Sequence, residues 1–231
     1  MKRKGTRREL AAAFRASIPV MMGYSVLGFS FGLLAVSQGF AWYWPVLMSL
    51  LIYAGALQFL AVGMLQAKAG MFELFVAAIF VNIRQAFYGL SLLRKFRKTG
   101  PLRPYLIFAL TDETYALMTS VEPDPRLKRR WYLFYLALLD QSYWVGGTLA
   151  GALFGSMVRF DTRGIDFALT ALFVVLVMEQ YKARKRLTPF LIGAGAAVLA
   201  LLTVPMDRML LVAILLALAG MFLFAERLDD V

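Results

Sequence analysis

The chain has 231 residues, 61% of them hydrophobic, and its mean hydropathy is +0.68. An ordinary soluble domain is only about 45–50% apolar, so the excess predicts a protein whose solvent is largely lipid. The sequence contains no Cys and no His, which excludes disulfides, thiolate or imidazole metal sites and any His-based catalytic triad. We therefore expect neither a metal ion nor another cofactor.

The net charge of +11 would by itself permit nucleic-acid binding, but the positions of the charges favour another interpretation. Most of the Lys and Arg residues fall in four clusters, and each cluster borders an apolar run. Short basic loops beside apolar runs are typical of the cytoplasmic side of a membrane protein. The clusters lie at Lys2–Arg15, Arg94–Arg103, Arg126–Arg130 and Lys182–Arg186.

Eight apolar stretches follow one another along the chain with short connections between them. A membrane-spanning helix needs about 20 mostly apolar residues, which predicts an all-α polytopic bundle of about six to eight membrane segments. We expect a single transporter domain over residues 1–231. The stretches are Ala11–Ser37, Pro45–Gln66, Met71–Leu93, Leu102–Val121, Trp131–Val158, Gly164–Tyr181, Thr188–Val204 and Met209–Ala225.

The first stretch follows a basic start and therefore also resembles a signal peptide. Arg15 interrupts its beginning, however, and the run continues to Val36, longer than a typical apolar region of about 7–15 residues. We expect a retained helix with a cytoplasmic N-terminus. Within it, Gly28–Gly32 matches the G-x-S-x-G pattern of serine hydrolases, but the chain has no histidine base. Gly28 and Gly32 are instead predicted to pack against another helix.

The third and fourth stretches carry polar residues at their centres. If all four basic clusters face the cytoplasm, the first three stretches must cross the membrane an even number of times and the fourth must not cross. One hypothesis is that both stretches are re-entrant or broken, because non-helical backbone at membrane depth is tolerated only where it is buried or lines a cavity. The other hypothesis is eight simple spans with the Arg94–Arg103 loop outside. The central polar residues are Asn82, Arg84 and Gln85 in the third stretch, and Thr111, Asp112 and Glu113 in the fourth.

Arg84, Asp112, Glu113 and Asp140 are ionisable residues that lie well inside apolar stretches, away from their ends. Each costs about 2.5–3.5 kcal/mol at the centre of a membrane helix, so each needs a partner, water or a ligand. One interpretation is an ion pair of Arg84 with Asp112 or Glu113 that only fixes helix packing. The other is a wet cavity for a zwitterion, with Arg84 facing its carboxylate and the acidic groups facing its ammonium. Asp112, Glu113 and Asp140 are also the candidates for proton coupling.

The fifth stretch has a regular ridge of glycines. Gly147, Gly151 and Gly155 recur at intervals of four, a spacing that lets another helix approach closely. Helical spacing places Asp140 and Trp144 on the same face. We expect the glycines to serve helix packing, whereas Asp140 and Trp144 fit either packing or the lining of a path.

Six short fragments, taken in their order and spacing over nearly the whole chain, resemble the AzlC family, the large subunit of branched-chain amino acid exporters. Each fragment alone is weak, and their combination is specific. The fragments are Pro19 with Gly23, Tyr53–Phe59, Asn82–Arg84, Thr111–Glu113, Trp144–Gly147 with Gly151, and Gly164–Ala168.

The resemblance implies export of branched-chain amino acids, with methionine or analogues as further substrates, driven by an ion gradient. It also implies a small hydrophobic partner subunit of the AzlD type and, because the family is bacterial and archaeal, a location in the cytoplasmic (inner) membrane. The substrate-binding candidates rest on the intramembrane polarity and on the fragments. They are Tyr53, Gln58, Asn82, Arg84, Gln85, Asp112, Glu113 and Trp144.

Two other functions remain open at this point. An integral-membrane enzyme acting on a lipid would need an acid–base or metal constellation, and the adjacent Asp112 and Glu113 point to different helix faces, which suits a metal site poorly. A structural or regulatory subunit would tolerate alanine at Arg84 and Asp112. We expect no enzymatic activity, and the absence of a Walker A sequence excludes ATP hydrolysis by that route.

Overall fold

The computed structural model describes residues 3–121, 124–157 and 187–223, together with residues 174, 177, 178 and 181. Within these residues every regular element is a helix, as the sequence predicts. The sixth predicted stretch, the last resemblance fragment and the last basic cluster fall wholly or almost wholly outside the described residues. They are Gly164–Tyr181, Gly164–Ala168 and Lys182–Arg186.

The helices are α1 (Arg3–Ser37), α2 (Tyr43–Leu51), α3 (Gly55–Gln66), α4 (Met71–Phe96), α5 (Arg103–Phe108), α6 (Asp112–Ser120), α7 (Arg129–Met157), α8 (Thr188–Thr203) and α9 (Met206–Leu223). A 3₁₀ turn at Gly100–Leu102 precedes α5. The chain divides into two compact units. The first contains Met1–Gln66 and Ala78–Ile165, and the second contains Ala67–Ala77 and Asp166–Val231. The expectation of a single transporter domain stays a prediction.

Two of the described helices are long and apolar enough to cross a membrane. They are Arg7–Ser37, which forms most of α1, and Met71–Phe96, which is α4. Shorter apolar helices occur at Gly55–Gln66, Thr188–Thr203 and Val212–Met221. The predicted number of crossings and the orientation of the N-terminus stay predictions.

Two of the predicted apolar stretches are interrupted helices. The second is broken between α2 and α3, where Tyr53 has a φ of 47°. The fourth is broken between α5 and α6, where Thr111 is extended, so the predicted break in that stretch is present. The third stretch is the continuous helix α4, and the hypothesis that it is broken is wrong. A helix satisfies its own backbone hydrogen bonds, so its central polar side chains need not interrupt it.

The glycines of α1 and α7 lie where the two backbones meet at the centre of the first unit. A Cβ added to Gly28 or to Gly147 would lie 2.6 Å from a backbone oxygen of the opposite helix. At Gly32 and Gly151 it would be closer still, and at Gly155 it would meet side chains of α1 from 3.2 Å. Only residues without a side chain allow this approach.

The second unit is described mainly through α8 and α9, which pack against each other. Ala196 and Ala200 of α8 are buried. A Cβ on Gly220 of α9 would lie 2.7 Å from the side chain of Ile192 in α8. Small residues therefore also bring this pair of helices together.

Candidate functional site

The first turn of α6 carries three consecutive side chains that each contact a different helix. Asp112 contacts α4, Glu113 contacts α1 and Thr114 contacts α7. Successive helical residues are rotated by about 100°, which explains why sequence neighbours reach separate partners. Thr111 is the N-cap residue of this helix, and its Oγ1 accepts a hydrogen bond from the Thr114 N–H at 3.3 Å. This cap stabilises the first turn, from which all three side chains project.

Asp112 forms an ion pair with Arg84 of α4, with 2.7 Å between Arg84 Nη1 and Asp112 Oδ2. Of the two interpretations, the ion pair of Arg84 with one of the acidic residues is thus observed for Asp112, while its role in packing or in ligand binding stays a prediction. The side chains are 39% and 33% exposed, so the pair is partly exposed. Arg84 Nε and Asp112 Oδ1 are themselves buried and have no hydrogen-bond partner among the described residues. The cation therefore has one buried donor and the anion one buried acceptor without a partner there.

Glu113 accepts a hydrogen bond from the hydroxyl of Tyr24 in α1, with 2.7 Å between Tyr24 Oη and Glu113 Oε2. The same hydroxyl lies 2.6 Å from Thr111 Oγ1. Tyr24 is buried, and its ring packs edge-on against Trp144 with 5.4 Å between the centroids. Such a pair holds the phenol in place. Glu113 itself is exposed.

Asp140 of α7 is fully buried, and its Oδ2 accepts a hydrogen bond of 2.8 Å from Thr114 Oγ1. In the described part of the chain its second oxygen has no hydrogen-bond partner, and the same holds for the buried hydroxyl of Tyr132. The buried Tyr53 lies beside Thr114. Both tyrosines interact electrostatically with Asp140. An unpaired buried polar atom costs about 1–3 kcal/mol, so this cluster is a place where a solute, an ion or water would be stabilised.

The break between α2 and α3 is formed by Tyr53 in the left-handed backbone region. Its N–H donates to the carbonyl of Met48 at 3.2 Å, which closes α2. The Leu50 carbonyl, left open by the end of the helix, accepts a hydrogen bond of 3.2 Å from Gln141 Nε2 of α7. A bulky residue in this conformation costs roughly 1–2 kcal/mol, and such strained residues often cluster at functional sites.

Gln58 and Trp144, both predicted to bind substrate, are hydrogen-bonded to each other in the core. Trp144 Nε1 donates to Gln58 Oε1 at 3.1 Å, and Gln58 Nε2 donates to Ser49 Oγ at 3.0 Å. Ser49 Oγ lies 2.9 Å from Thr148 Oγ1. All four residues are buried. Their polar groups join α2, α3 and α7, so the structure places Gln58 and Trp144 in the core of these helices.

The other predicted residues of α4 lie apart from this arrangement. Helical geometry places Asn82 about 200° and Gln85 about 100° around the axis from Arg84. Both are half-buried and do not share the face of α4 that meets α6. The structure thus brings Arg84, Asp112 and Glu113 together at the first turn of α6, with Asp140 on its other side.

Sequence reasoning missed two hydroxyl residues that connect the charged groups, Tyr24 and Thr114. Each stands directly beside a fragment that carries the family resemblance, Tyr24 after Gly23 and Thr114 after Glu113. A hydroxyl inside an apolar stretch costs far less than a charge, so the energetic argument that singled out the ionisable residues gave no signal for them.

Comparison with known proteins identifies the family. The family model described as "AzlC protein" matches residues 19–158, which include every residue of the α6 arrangement. The "Branched-chain amino acid transport protein AzlC" of Bacillus subtilis is 34% identical over 227 residues, 96% of this chain and 89% of that protein. No solved structure is significantly similar.

Two further relatives carry names that refer only to a membrane. An "Uncharacterized membrane protein" of Helicobacter pylori strain 26695 is 40% identical over 217 residues, 94% of this chain and 95% of that protein. The "Inner membrane protein YgaZ" of Escherichia coli is 32% identical over 193 residues, 79% and 78% of the two chains. Because the family match covers more than half of the sequence and the relatives align over most of it, the chain belongs to the AzlC family.

Proposed function

We propose that this chain is the large subunit of a secondary transporter that exports branched-chain amino acids across a bacterial cytoplasmic membrane. The name of the Bacillus subtilis relative supports the substrate class. The two long apolar helices and the relatives named as membrane proteins support the location. In this proposal the chain crosses the membrane several times, and the basic N-terminal cluster keeps the N-terminus in the cytoplasm.

The observation that carries the proposal is the partly exposed ion pair of Arg84 and Asp112. A free amino acid presents a carboxylate and an ammonium on one carbon, so it needs a donor and an acceptor side by side. The partly exposed guanidinium of Arg84 and carboxylate of Asp112 offer these two groups, on side chains only 2.7 Å apart. A zwitterion bound there adds no net charge to the site, and its hydrogen bonds are charge-assisted.

The selectivity of such a site would come from the apolar part of the ligand. Leucine, isoleucine and valine differ by a branch point or by one methylene. A methylene is worth only about 1–3 kcal/mol in an apolar pocket. We therefore expect transport of all three with modest preferences, and exclusion of amino acids whose side chains are charged.

An AzlD-type small subunit completes the exporter in this proposal. The family resemblance implies it, and an uncovered face of α4 supports it. Large apolar side chains recur along the part of this helix that belongs to the first unit, at intervals of three and four, and are 46% to 63% exposed. Such a stripe is covered by lipid or by an apolar subunit. It consists of Ile79, Ile83, Phe87 and Leu90.

The proposal is tested by measuring leucine in cells that express this chain with its partner subunit. Efflux of labelled leucine should rise, and Arg84→Ala and Asp112→Ala should abolish the rise. Arg84→Lys keeps the charge but lacks the planar guanidinium with its several donors, so it should also lose most of the efflux. Arg94→Ala, an equivalent change elsewhere on α4, is the matched control and should export normally.

Two results would contradict the proposal. Unchanged leucine efflux with both proteins verified in the membrane would exclude the substrate class. Normal efflux in Arg84→Ala and Asp112→Ala would contradict the proposed binding site and favour a structural role for the pair.

The orientation in the membrane has a separate test. If an extracellular label reaches a tag at position 98, the Arg94–Arg103 loop lies outside the cell.

A further inference from the structure

Five side-chain oxygens form a continuous hydrogen-bonded line between the two carboxyl groups of Glu113 and Asp140. In order they are Glu113 Oε2, Tyr24 Oη, Thr111 Oγ1, Thr114 Oγ1 and Asp140 Oδ2, separated by 2.7, 2.6, 3.0 and 2.8 Å. All four links lie within the usual O–H···O range of about 2.5–3.0 Å. This set of five groups is named the hydroxyl line.

The number of hydrogens in the hydroxyl line indicates its protonation. Three hydroxyl groups supply three hydrogens for four links. If both carboxyl groups were ionised, only three hydrogens would be present, and one link would bring two oxygen lone pairs together without a hydrogen between them. If both carboxyl groups were protonated, five hydrogens would be present, and one link would contain two of them. A single carboxyl proton fills every link. It does so at either end, because each hydroxyl can rotate and donate in the opposite direction.

We infer that Glu113 and Asp140 share one proton and exchange it along the hydroxyl line, which is the route by which protons reach the buried end. When the proton moves inward, the Glu113 Oε2–H bond breaks and Tyr24 Oη gains a hydrogen. Tyr24 passes its own hydrogen to Thr111, Thr111 to Thr114, and Thr114 to Asp140 Oδ2. Glu113 becomes the carboxylate, Asp140 becomes the neutral acid, and the three hydroxyls are chemically unchanged.

Burial gives the hydroxyl line a direction. Glu113 is exposed, whereas Asp140, Thr114, Thr111 and Tyr24 are buried, with Asp140 at 0% exposure. A proton from outside the protein therefore enters at Glu113. Coupling of this proton to transport rests on the proposed function, but the path itself depends only on the geometry.

The other titratable groups near the two carboxyls do not compete for this proton. Tyr53, Tyr105 and Tyr132 interact electrostatically with Asp140 from the α2–α3 break, α5 and α7, and Tyr53 also interacts with Glu113. Tyrosine is neutral over the physiological range, so these groups do not take up the proton. Arg84 is paired with Asp112 on another side of the same helical turn.

The path is tested by hydrogen–deuterium exchange of the Asp140 carboxyl group, followed by infrared spectroscopy on the full chain with its partner in lipid vesicles. The C=O stretch of the protonated group is assigned by its loss in Asp140→Asn. In Thr114→Val and in Tyr24→Phe, exchange should slow by about tenfold or more, because the proton must then wait for local opening of the helices. Thr114→Ser keeps the hydroxyl and should exchange normally.

Tyr143→Phe is the matched control, because Tyr143 Oη lies 3.1 Å from Ser17 Oγ and so bonds α7 to α1 outside the hydroxyl line. It should leave the exchange rate unchanged. Equal rates in Thr114→Val, Tyr24→Phe and the unsubstituted chain would overturn the inference, and so would the absence of a protonated Asp140 band at every pH.

Leucine flux in the same vesicles separates this inference from the proposed function. Thr114→Val should lose efflux driven by a pH gradient while it keeps the exchange of labelled for unlabelled leucine. The unsubstituted chain could carry no leucine while the exchange of the Asp140 carboxyl group is slower in Thr114→Val and Tyr24→Phe than in the unsubstituted chain; this result would contradict the proposed function and support the hydroxyl line. If leucine is carried but the exchange rates do not differ in this way, only the hydroxyl line is contradicted.

Discussion

Replacing Gly147 by alanine tests whether the contact between α1 and α7 determines stability. The added methyl carbon would lie 2.6 Å from the carbonyl oxygen of Ser25. Unforced contacts of this type lie at about 3.3–3.6 Å, so the two backbones must separate by roughly 0.7 Å or more. Overfilling a packed contact in this way costs about 1–3 kcal/mol.

The neighbouring glycine provides an internal control. A Cβ on Gly146 would meet no described atom within 4 Å. Gly146→Ala should therefore raise the free energy of unfolding only through the higher helix propensity of alanine, by about 0.5–1 kcal/mol. Gly147→Ala has the same favourable contribution. The difference between the two variants isolates the contact.

The assay is thermal unfolding of the two purified variants in detergent, followed by tryptophan fluorescence. For a chain of this size 1 kcal/mol corresponds to about 2–4 °C, so Gly147→Ala should melt about 2–12 °C below Gly146→Ala. Gly151→Ala, whose added carbon would lie still closer to α1, should lose more. If Gly147→Ala melts at or above Gly146→Ala, the helices do not rely on this approach and the packing argument is refuted.

Changes at three further positions should alter stability in the same thermal assay. Trp144→Phe removes the donor that Gln58 Oε1 accepts in the core, and should cost about 1–3 kcal/mol; an unchanged Tm would contradict the role of this bond. Glu9 is 2% exposed and accepts the N–H of Lys128 at the start of α7, so Glu9→Gln should cost about 0.3–1 kcal/mol at low salt. Lys68 has a φ of 55°, so Lys68→Gly should gain about 1 kcal/mol, whereas Lys68→Val should lose stability.

The sequence predicts the helical class and the packing role of the glycines, and one of its two topology hypotheses includes the interruption of the fourth stretch, because each depends on local composition. It does not predict the break at Tyr53. That stretch is apolar on both sides of the break, and the ends of its two helices are supported by distant groups such as Gln141. The sequence also suggests a break in the third stretch, and the structure has no break there, because that stretch is the continuous helix α4. Arg84 finds its partner on α6 through its side chain, so the α4 backbone stays intact.

The charged part of the site is predicted better than its neutral part. A charge at the centre of an apolar stretch is costly in a membrane, so the sequence identifies Arg84, Asp112, Glu113 and Asp140 as residues that need a partner or a ligand. Neutral groups carry no such signal, and whether one faces a ligand or another side chain depends on the tertiary contacts. Gln58 is an example, because the sequence places it in a family fragment while the structure shows both ends of its amide bonded inside the core.

The first turn of α6 gives a physical reason why substrate and proton would influence each other under the two proposals. Asp112, which would bind the ammonium, is covalently adjacent to Glu113, and Thr114 follows at once. An O–H···O bond weakens steeply beyond about 3 Å, and the links of the hydroxyl line are already 2.6 to 3.0 Å long. A displacement of this turn by a fraction of an ångström on ligand binding would therefore interrupt proton sharing. By linkage, the position of the proton must change the affinity for the amino acid by the same factor.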